Sequence, residues 1–239
     1  MNIDEIREEI AFRMDVDRDA RFDPLNALSR TRHASVAERN GWQGVTIEGA
    51  GTPCVAVPPV YDNVRIVDAG SCLVAEVSIC DRHGAWIIDD NPREVVPCEY
   101  DGVETDPLWG GLLFRAGECE GLYGIPMKRE IFACRYAEVS LNAMTRFIWA
   151  RKPGGTFITF DSETGDINTL PGATRVFETD GGVLYADQDN YVHLVNAAGL
   201  PDPLGFRRMV IASSGRLRLR NSRVPTESVC DASGYIINL

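Results

Sequence analysis

The chain has 239 residues, of which 44% are hydrophobic and 25% are charged, and its formal net charge at pH 7 is −11. A chain of this length buries a sizeable core, so it needs neither a disulfide framework nor a metal to fold. The negative charge disfavours non-specific binding to nucleic acid or to an anionic membrane. No apolar stretch reaches the roughly 18 to 20 residues that cross a bilayer, and the N-terminus lacks a signal sequence, which predicts a cytoplasmic protein.

The N-terminal segment has helical periodicity. Ile3, Ile6, Ile10 and Met14 are spaced by three, four and four residues, with acidic residues in the opening turn, which predicts a helix over residues 2–14. A second short helix is expected over about residues 25–39, because no Gly or Pro interrupts it before Asn40-Gly41. We therefore assign residues 1–41 to a helical N-terminal segment.

From Trp42 onward, short apolar runs alternate with turn residues, which is typical of β-structure, and two landmarks recur. The first is a Tyr-Asp-x-Val turn, and the second is a small residue followed by an aromatic residue in an apolar strand. The first landmark contains Tyr61-Asp62, Tyr100-Asp101 and Tyr136, with tyrosines 39 and 36 residues apart; the second contains Trp86, Tyr123, Phe157, Tyr191 and Tyr235.

This period predicts a mainly β repeat domain over residues 42–239, built from about five units of three or four antiparallel strands. The expected units are residues 53–94, 95–130, 131–166, 167–202 and 203–239. Such units either close into a propeller-like ring or continue as an open spiral of sheets. A strand at Val45–Glu48 could complete the last unit and close the ring.

The landmarks resemble the WG-repeat family of bacterial proteins. The resemblance rests on Val57-Pro58-Pro59-x-Tyr61-Asp62, on Gly84-Ala85-Trp86-Ile87-Ile88-Asp89 and on Val95-Val96-Pro97-Cys98-x-Tyr100-Asp101. It covers about three-quarters of the chain. It implies a repeat scaffold that serves interactions, and it implies no particular activity.

The recurring aromatic residues are expected to pack between successive sheets, although a ligand-stacking row is the alternative. Asp62 and Asp101 are expected to cap the turn that follows each of them.

Residues that could carry chemistry form no recognisable motif. The seven cysteines contain no C-x-x-C pair, the three histidines lack metal-ligand spacing, and the nucleophile and phosphate-binding motifs are absent. The acidic stretch from Asp15 to Asp23 imitates a calcium loop, but Ala20 and Asn26 stand where Gly and Glu are needed. We expect buried, reduced thiols, no metal, no cofactor and no catalytic residue.

The charge distribution suggests where a partner binds. Six arginines and no acidic residue lie between residues 203 and 226, and three of them alternate with leucine in a predicted strand; they are Arg207, Arg208, Arg216, Arg218, Arg220 and Arg223. Three interpretations of these arginines are open: a solvated outer face, pairing with the acidic N-terminal helix, or binding of an anion or a partner. The acidic turns that hold Asp89, Asp90, Asp161 and Glu163 are further candidates for partner binding.

We therefore expect a non-enzymatic protein-binding scaffold whose partner is basic, such as an immunity protein or inhibitor of a cationic toxin or nuclease. One alternative is an enzyme with a pocket at the axis of the repeats. Another is binding of anions or nucleic acid through the arginine face, with nucleic acid the less expected ligand in view of the net charge.

Overall fold

The computed structural model describes residues 3–16, 33–48, 53–140, 147–179, 182–188, 192–195, 201–206, 208–211, 217–220, 227–230 and 236–238. For the strands beyond residue 188, it describes the backbone alone. The chain divides into two compact units, Met1–Cys134 and Arg135–Leu239. Each unit is described by itself.

The first unit begins with helix α1, Ile3–Val16, which confirms the predicted N-terminal helix. Asp4 and Glu5 lie in its first turn and Arg13 in its last turn, where each charge opposes the helix dipole. The predicted apolar face is buried only in its middle: Ile6 is buried and Ile10 half-buried, whereas Ile3 and Met14 at the two ends are exposed.

A three-stranded antiparallel sheet follows, with strands β1 (His33–Arg39), β2 (Trp42–Glu48) and β3 (Cys54–Tyr61) in sequential order. The predicted second helix is therefore wrong over residues 33–39, and its earlier part lies outside the described residues. The physical reason is the turn at Asn40-Gly41. Both residues have positive φ, 55° and 83°, which is the geometry of a two-residue β-hairpin turn and not of a helix end.

Two four-stranded antiparallel sheets complete the first unit. The second sheet contains β4 (Asn63–Asp68), β5 (Leu73–Ile79), β6 (Arg82–Ile88) and β7 (Arg93–Tyr100). The third sheet contains β8 (Gly102–Asp106), β9 (Gly111–Ala116), β10 (Cys119–Gly124) and β11 (Arg129–Tyr136), the last of which ends just beyond the unit boundary.

In the second unit, the described strands form three further four-stranded sheets in sequential order. The fourth sheet contains β12 (Glu138–Val139), β13 (Phe147–Arg151), β14 (Phe157–Asp161) and β15 (Ile167–Thr169). The fifth contains β16 (Arg175–Thr179), β17 (Gly182–Ala186), β18 (Val192–Val195) and β19 (Pro201–Phe206). The sixth contains β20 (Arg208–Ile211), β21 (Leu217–Arg220), β22 (Glu227–Cys230) and β23 (Ile236–Asn238).

The prediction of a mainly β chain of antiparallel sheets behind an N-terminal helix is thus confirmed. Each four-stranded sheet begins about one strand later than the expected unit, and the second and third sheets begin directly after a Tyr-Asp pair. Strand β2 pairs with β1 and β3 in the first sheet, so the prediction that Val45–Glu48 completes the last unit is wrong. The closed ring thereby loses the sequence argument that favoured it.

Adjacent sheets share their cores within each unit. One buried cluster joins α1 and the first two sheets through Ile6, Val57, Val64 and Val77. A second joins the second and third sheets through residues such as Val74 and Phe114, and a third, in the second unit, contains Phe157 and Tyr185. A single sheet of this size cannot bury its own apolar face, so this stacking supplies the core.

A glycine faces a bulge in the last strand of each of the first two sheets. A Cβ atom on Gly44 would lie 2.5 Å from the carbonyl oxygen of Val57, and one on Gly84 would lie 2.6 Å from that of Val96. The strand register shifts at both positions. Because the bulged Val-Pro segment folds toward the neighbouring strand, only glycine fits opposite it.

Candidate interaction surface

The Tyr-Asp landmark forms the junction between consecutive sheets. Tyr61 ends β3, and Asp62 alone separates it from β4; Tyr100 and Asp101 stand in the same relation to β7 and β8. Tyr61 is buried, and Tyr100 is half-buried with its ring centroid 4.7 Å from that of Phe114. Tyr136, in the second unit, is also buried.

Each junction aspartate is bonded to the central hairpin of the sheet that it opens. The amide of Asp62 donates to the carbonyl oxygen of Ser78 (2.8 Å), and its Oδ2 accepts from the amide of Cys80 (2.8 Å). The amide of Asp101 donates to Arg115 (2.7 Å), and its Oδ2 accepts from Gly117 (2.6 Å). The capped turn lies 16 to 18 residues beyond the aspartate, and it is not the turn that directly follows.

The second carboxylate oxygen of each junction aspartate binds an arginine. Asp101 Oδ1 accepts from Arg82, the first residue of β6. Asp62 Oδ1 accepts from Arg13 Nη1 of α1 at 2.7 Å. At the following junction, Ala137 holds the aspartate position and Cys119, the first residue of β10, holds the arginine position, so these residues cannot make the same ion pair.

The guanidinium of Arg13 lies in a closed cage, and the residue is only 6% exposed. Nη1 also donates to the carbonyl oxygen of Val60 (2.8 Å), Nε donates to Glu9 (2.9 Å), and the group lies 5.1 Å from the ring centroid of Trp42. Burial alone lowers the pKa of Arg13, but the bonds to Asp62 and Glu9 outweigh it and leave the pKa raised. The arginine therefore stays charged and fixes α1 to the first sheet.

The three recurring aromatic residues that the structure describes lie in the third strand of their sheets. Trp86 in β6 is half-buried, and its Nε1 donates to the hydroxyl of Tyr61 at 2.7 Å. Tyr123 in β10 and Phe157 in β14 are buried. Tyr191 and Tyr235 lie outside the described residues, and the prediction made for them stays untested.

Four of the described thiols are poorly suited to act as nucleophiles. Burial raises the pKa of the Cys98 thiol to about 12, and it also raises the pKa of Cys72, Cys80 and Cys134. Of the six cysteines whose side chains the structure describes, all of them reduced, only Cys98 is buried, so the expectation of mostly buried thiols is wrong. The described part of the chain contains no cluster of His, Cys, Asp or Glu suited to a metal ion. No described helix has the length and apolarity needed to cross a bilayer.

Two of the acidic turn residues border a cleft of about 550 Å³ between the second and third sheets. Asp89 holds Arg93, whose Nη1 lies 2.9 and 3.1 Å from its two carboxylate oxygens, and Asp89 Oδ1 accepts from the amide of Asn91. Asp90 is exposed at the rim, and Lys128 lies on the other side. Asp89 is therefore engaged within its own loop, while Asp90 remains accessible.

Asp161 requires a correction, because it is only 2% exposed and cannot form part of an exposed partner-binding face. Its Oδ1 accepts from the amides of Glu163 (2.9 Å) and Thr164 (3.4 Å), so it organises the turn after β14. Glu163 itself is exposed.

The predicted arginine face is described only in part. Arg208 lies in β20 opposite Arg220 of β21, and Arg218 lies two residues before Arg220 in the same strand. Arg207, Arg216 and Arg223 lie outside the described residues. The prediction that these arginines form one face therefore stays a prediction.

The negative charge of the protein belongs to its first unit. Residues 1–134 contain 24 Asp and Glu against 13 Lys and Arg, whereas residues 135–239 contain 11 of each. The first unit thus has a formal charge of −11 and the second has none. Sequence reasoning considered the charge of the whole chain and missed this division, because the boundary between the units has no composition signal.

Exposed carboxylates without an ion pair to another described residue lie at both ends of the sheets of the first unit. Glu38, Asp81 and Glu118 lie in or beside the β1–β2, β5–β6 and β9–β10 turns, at the end where the junction aspartates lie; we call these three the acidic turn row. A comparable set lies at the opposite end and comprises Glu48, Asp68 and Glu130.

Comparisons with known proteins give only distant structural likenesses. No family model matches the chain, and no curated protein matches it. Virginiamycin B lyase from Staphylococcus aureus matches with 12% identity and a TM-score of 0.31, over 85% of this chain and 82% of that one. A eukaryotic initiation factor matches with 10% identity and a TM-score of 0.42, and the match covers 87% of this chain and 64% of that one. A chain of the mitotic checkpoint complex matches with 11% identity and a TM-score of 0.33, over 91% and 76%. With TM-scores below 0.5, none of these likenesses bears on the activity of this protein.

Proposed function

We propose that the protein is a non-enzymatic, protein-binding repeat scaffold of the WG-repeat kind, whose first unit binds a basic partner. The observation that carries the proposal is the confinement of the whole net charge of −11 to residues 1–134. A surface of one sign attracts a partner of opposite sign and raises the rate of association.

The acidic turn row is the part of this surface that best suits docking. Asp81 and Glu118 are the second residues of equivalent turns in the second and third sheets, and Glu38 lies two residues before the corresponding turn of the first sheet. None of the three forms an ion pair with another described residue. The stacked sheets place these turns at the same end of the first unit, so a partner meets the three carboxylates on one side. A cytoplasmic immunity protein or inhibitor that neutralises a cationic toxin or nuclease has this kind of surface.

The enzyme alternative has less support. The thiols of Cys72, Cys80, Cys98 and Cys134 have raised pKa values, whereas a catalytic thiol needs a lowered one. Binding of anions or nucleic acid through the C-terminal arginines remains the other alternative. Retention on phosphocellulose that is lost after replacement of Arg216, Arg218 and Arg220 would favour it.

The proposal is tested with a labelled decalysine peptide as the cationic probe, by fluorescence anisotropy at low and high salt. Replacing Glu38 and Glu118 by Gln and Asp81 by Asn should weaken binding about tenfold at low salt, because three charges leave the docking surface. The matched control replaces Glu48 and Glu130 by Gln and Asp68 by Asn, and it should change binding by less than about threefold.

Equal losses in the two triple variants would show that binding follows net charge alone and would contradict the acidic turn row as the docking surface. Absence of decalysine binding at low salt would contradict the proposal. The narrower immunity role predicts that co-expression of this protein protects cells against a basic toxin encoded beside it. Growth arrest of cells that produce both proteins would contradict that role.

A further inference from the structure

The cage around Arg13 is formed mostly by groups outside the helix. The stacking ring comes from Trp42 in β2, one carbonyl oxygen comes from Val60 in β3, and the carboxylate comes from Asp62 at the sheet junction. Only Glu9 belongs to α1. A stacking ring together with two oxygen acceptors suits the flat, forked guanidinium better than the ammonium group of lysine.

The corresponding arginine of the next sheet is built into the sheet itself. Arg82 directly follows the Cys80-Asp81 turn and binds Asp101. In the first sheet, Trp42 directly follows the Asn40-Gly41 turn and occupies the place of Arg82. The first sheet therefore lacks its own arginine at this position and receives the guanidinium from outside the sheet.

The helix that delivers the guanidinium has few buried anchors besides Arg13. Ile6 is the only apolar residue of α1 that is fully buried, Ile10 is half-buried, and the exposed Arg7 forms an ion pair with Glu99 at 3.7 Å. A helix of 14 residues is marginal in water without tertiary contacts. The docking of α1 thus depends on these contacts together with the cage.

The surroundings of the cage are acidic. Asp62 caps the turn that contains Asp81, and Glu38 lies beside the turn that precedes Trp42, so two members of the acidic turn row lie near the cage. A basic segment that presents an arginine meets both the matching cage and the matching charge.

We propose that this cage is an arginine-recognition site, which α1 fills in the free protein and which an arginine of the basic partner fills in the complex. The inference rests on the proposed function for the basic nature of the partner. The partner segment is a short peptide with one arginine that enters the cage, and α1 leaves the cage when that segment binds.

The test uses the full chain with Arg13→Ala, which empties the cage, and a labelled lysine-rich peptide with a single central arginine as the probe, because the inferred partner segment is basic. The peptide should bind the R13A protein at least tenfold more tightly than the unaltered protein, because Arg13 no longer competes. Peptides with Lys or Ala in place of the arginine should bind R13A at least tenfold more weakly than the arginine peptide.

The double variant R13A and D62N is the control for the site and should lose the preference for arginine. If R13A does not fold, as judged by circular dichroism, R13K replaces it. Lysine retains the positive charge, but its ammonium group lacks the forked shape that fits the cage. Equal binding of the arginine and alanine peptides, or an arginine preference that survives D62N, would overturn the inference. If the arginine peptide fails while decalysine still binds the acidic turn row, only this inference is lost; failure of both probes removes the proposed function as well.

Discussion

Replacement of Gly84 by alanine tests why glycine recurs before the aromatic residue of the second landmark. The added Cβ would lie 2.6 Å from the carbonyl oxygen of Val96, 2.9 Å from the amide nitrogen of Cys98 and 2.9 Å from the carbonyl carbon of Pro97. All three contacts are backbone atoms of a bulged strand in a packed sheet, and they cannot move away as a flexible side chain could. We expect a loss of about 3 kcal/mol in the free energy of unfolding, at the upper end for overpacked cores.

The matched control is Gly102→Ala in β8, because a Cβ there meets no atom within 4 Å and the backbone is not left-handed. This control should leave stability unchanged or raise it by about 0.5 kcal/mol, since alanine restricts the unfolded chain. Urea unfolding followed by tryptophan fluorescence measures both variants, and three of the four tryptophans lie in the first unit. With a slope of about 2 kcal/mol per molar urea, Gly84→Ala should lower the midpoint by about 1.5 M. A midpoint within 0.3 M of the unaltered protein would refute the steric explanation.

Three further predictions concern the junctions and one buried thiol. Asp62→Ala should cost about 3 kcal/mol of stability, because it removes the main partner of the buried Arg13. Asp101→Ala should cost about 1 kcal/mol, because the arginine that it leaves without this partner, Arg82, is more exposed. Equal losses in urea unfolding would contradict the importance of burial. The turn residues Cys80 and Asp81 both have positive φ, so the double replacement by Asn and Gly should raise the free energy of unfolding by about 1 kcal/mol, and any loss in thermal unfolding would count against stored strain. Because burial raises the pKa of Cys98 to about 12, the unfolded chain deprotonates first, so the stability due to this thiol is complete below about pH 9 and falls as the pH rises toward 12. Between pH 9 and 10, Cys98→Ala should therefore lose about 1 kcal/mol less than the unaltered protein, and parallel pH curves would contradict this.

The sequence predicts the strand-rich class and the first helix because both depend on local periodicity. The Asn40-Gly41 pair favours a two-residue hairpin turn, and the interpretation of it as the end of a second helix is wrong. The pairing of β1 with β2 shows that it turns a hairpin. The local signal for the hairpin is therefore present in the sequence.

The candidate site was predicted less completely, because its bonds join residues that are far apart in the chain. Asp62 was recognised as a turn residue, yet its carboxylate reaches an amide 18 residues later and an arginine 49 residues earlier. Nothing in the sequence around Arg13 distinguishes it from a surface arginine. Asp161 likewise looked like an exposed turn acid, and only the packing of its sheet shows that it is buried.

The junctions of one residue restrict how this chain can change in length. Because Asp62 and Asp101 each connect two sheets without any linker, an inserted residue there would break the backbone bond and the turn cap together. A duplicated gene segment that begins and ends at the Tyr-Asp pair would instead add a whole sheet in frame. Relatives of this protein should therefore differ in length by steps of about 36 codons, while small insertions should occur in the loops within the sheets.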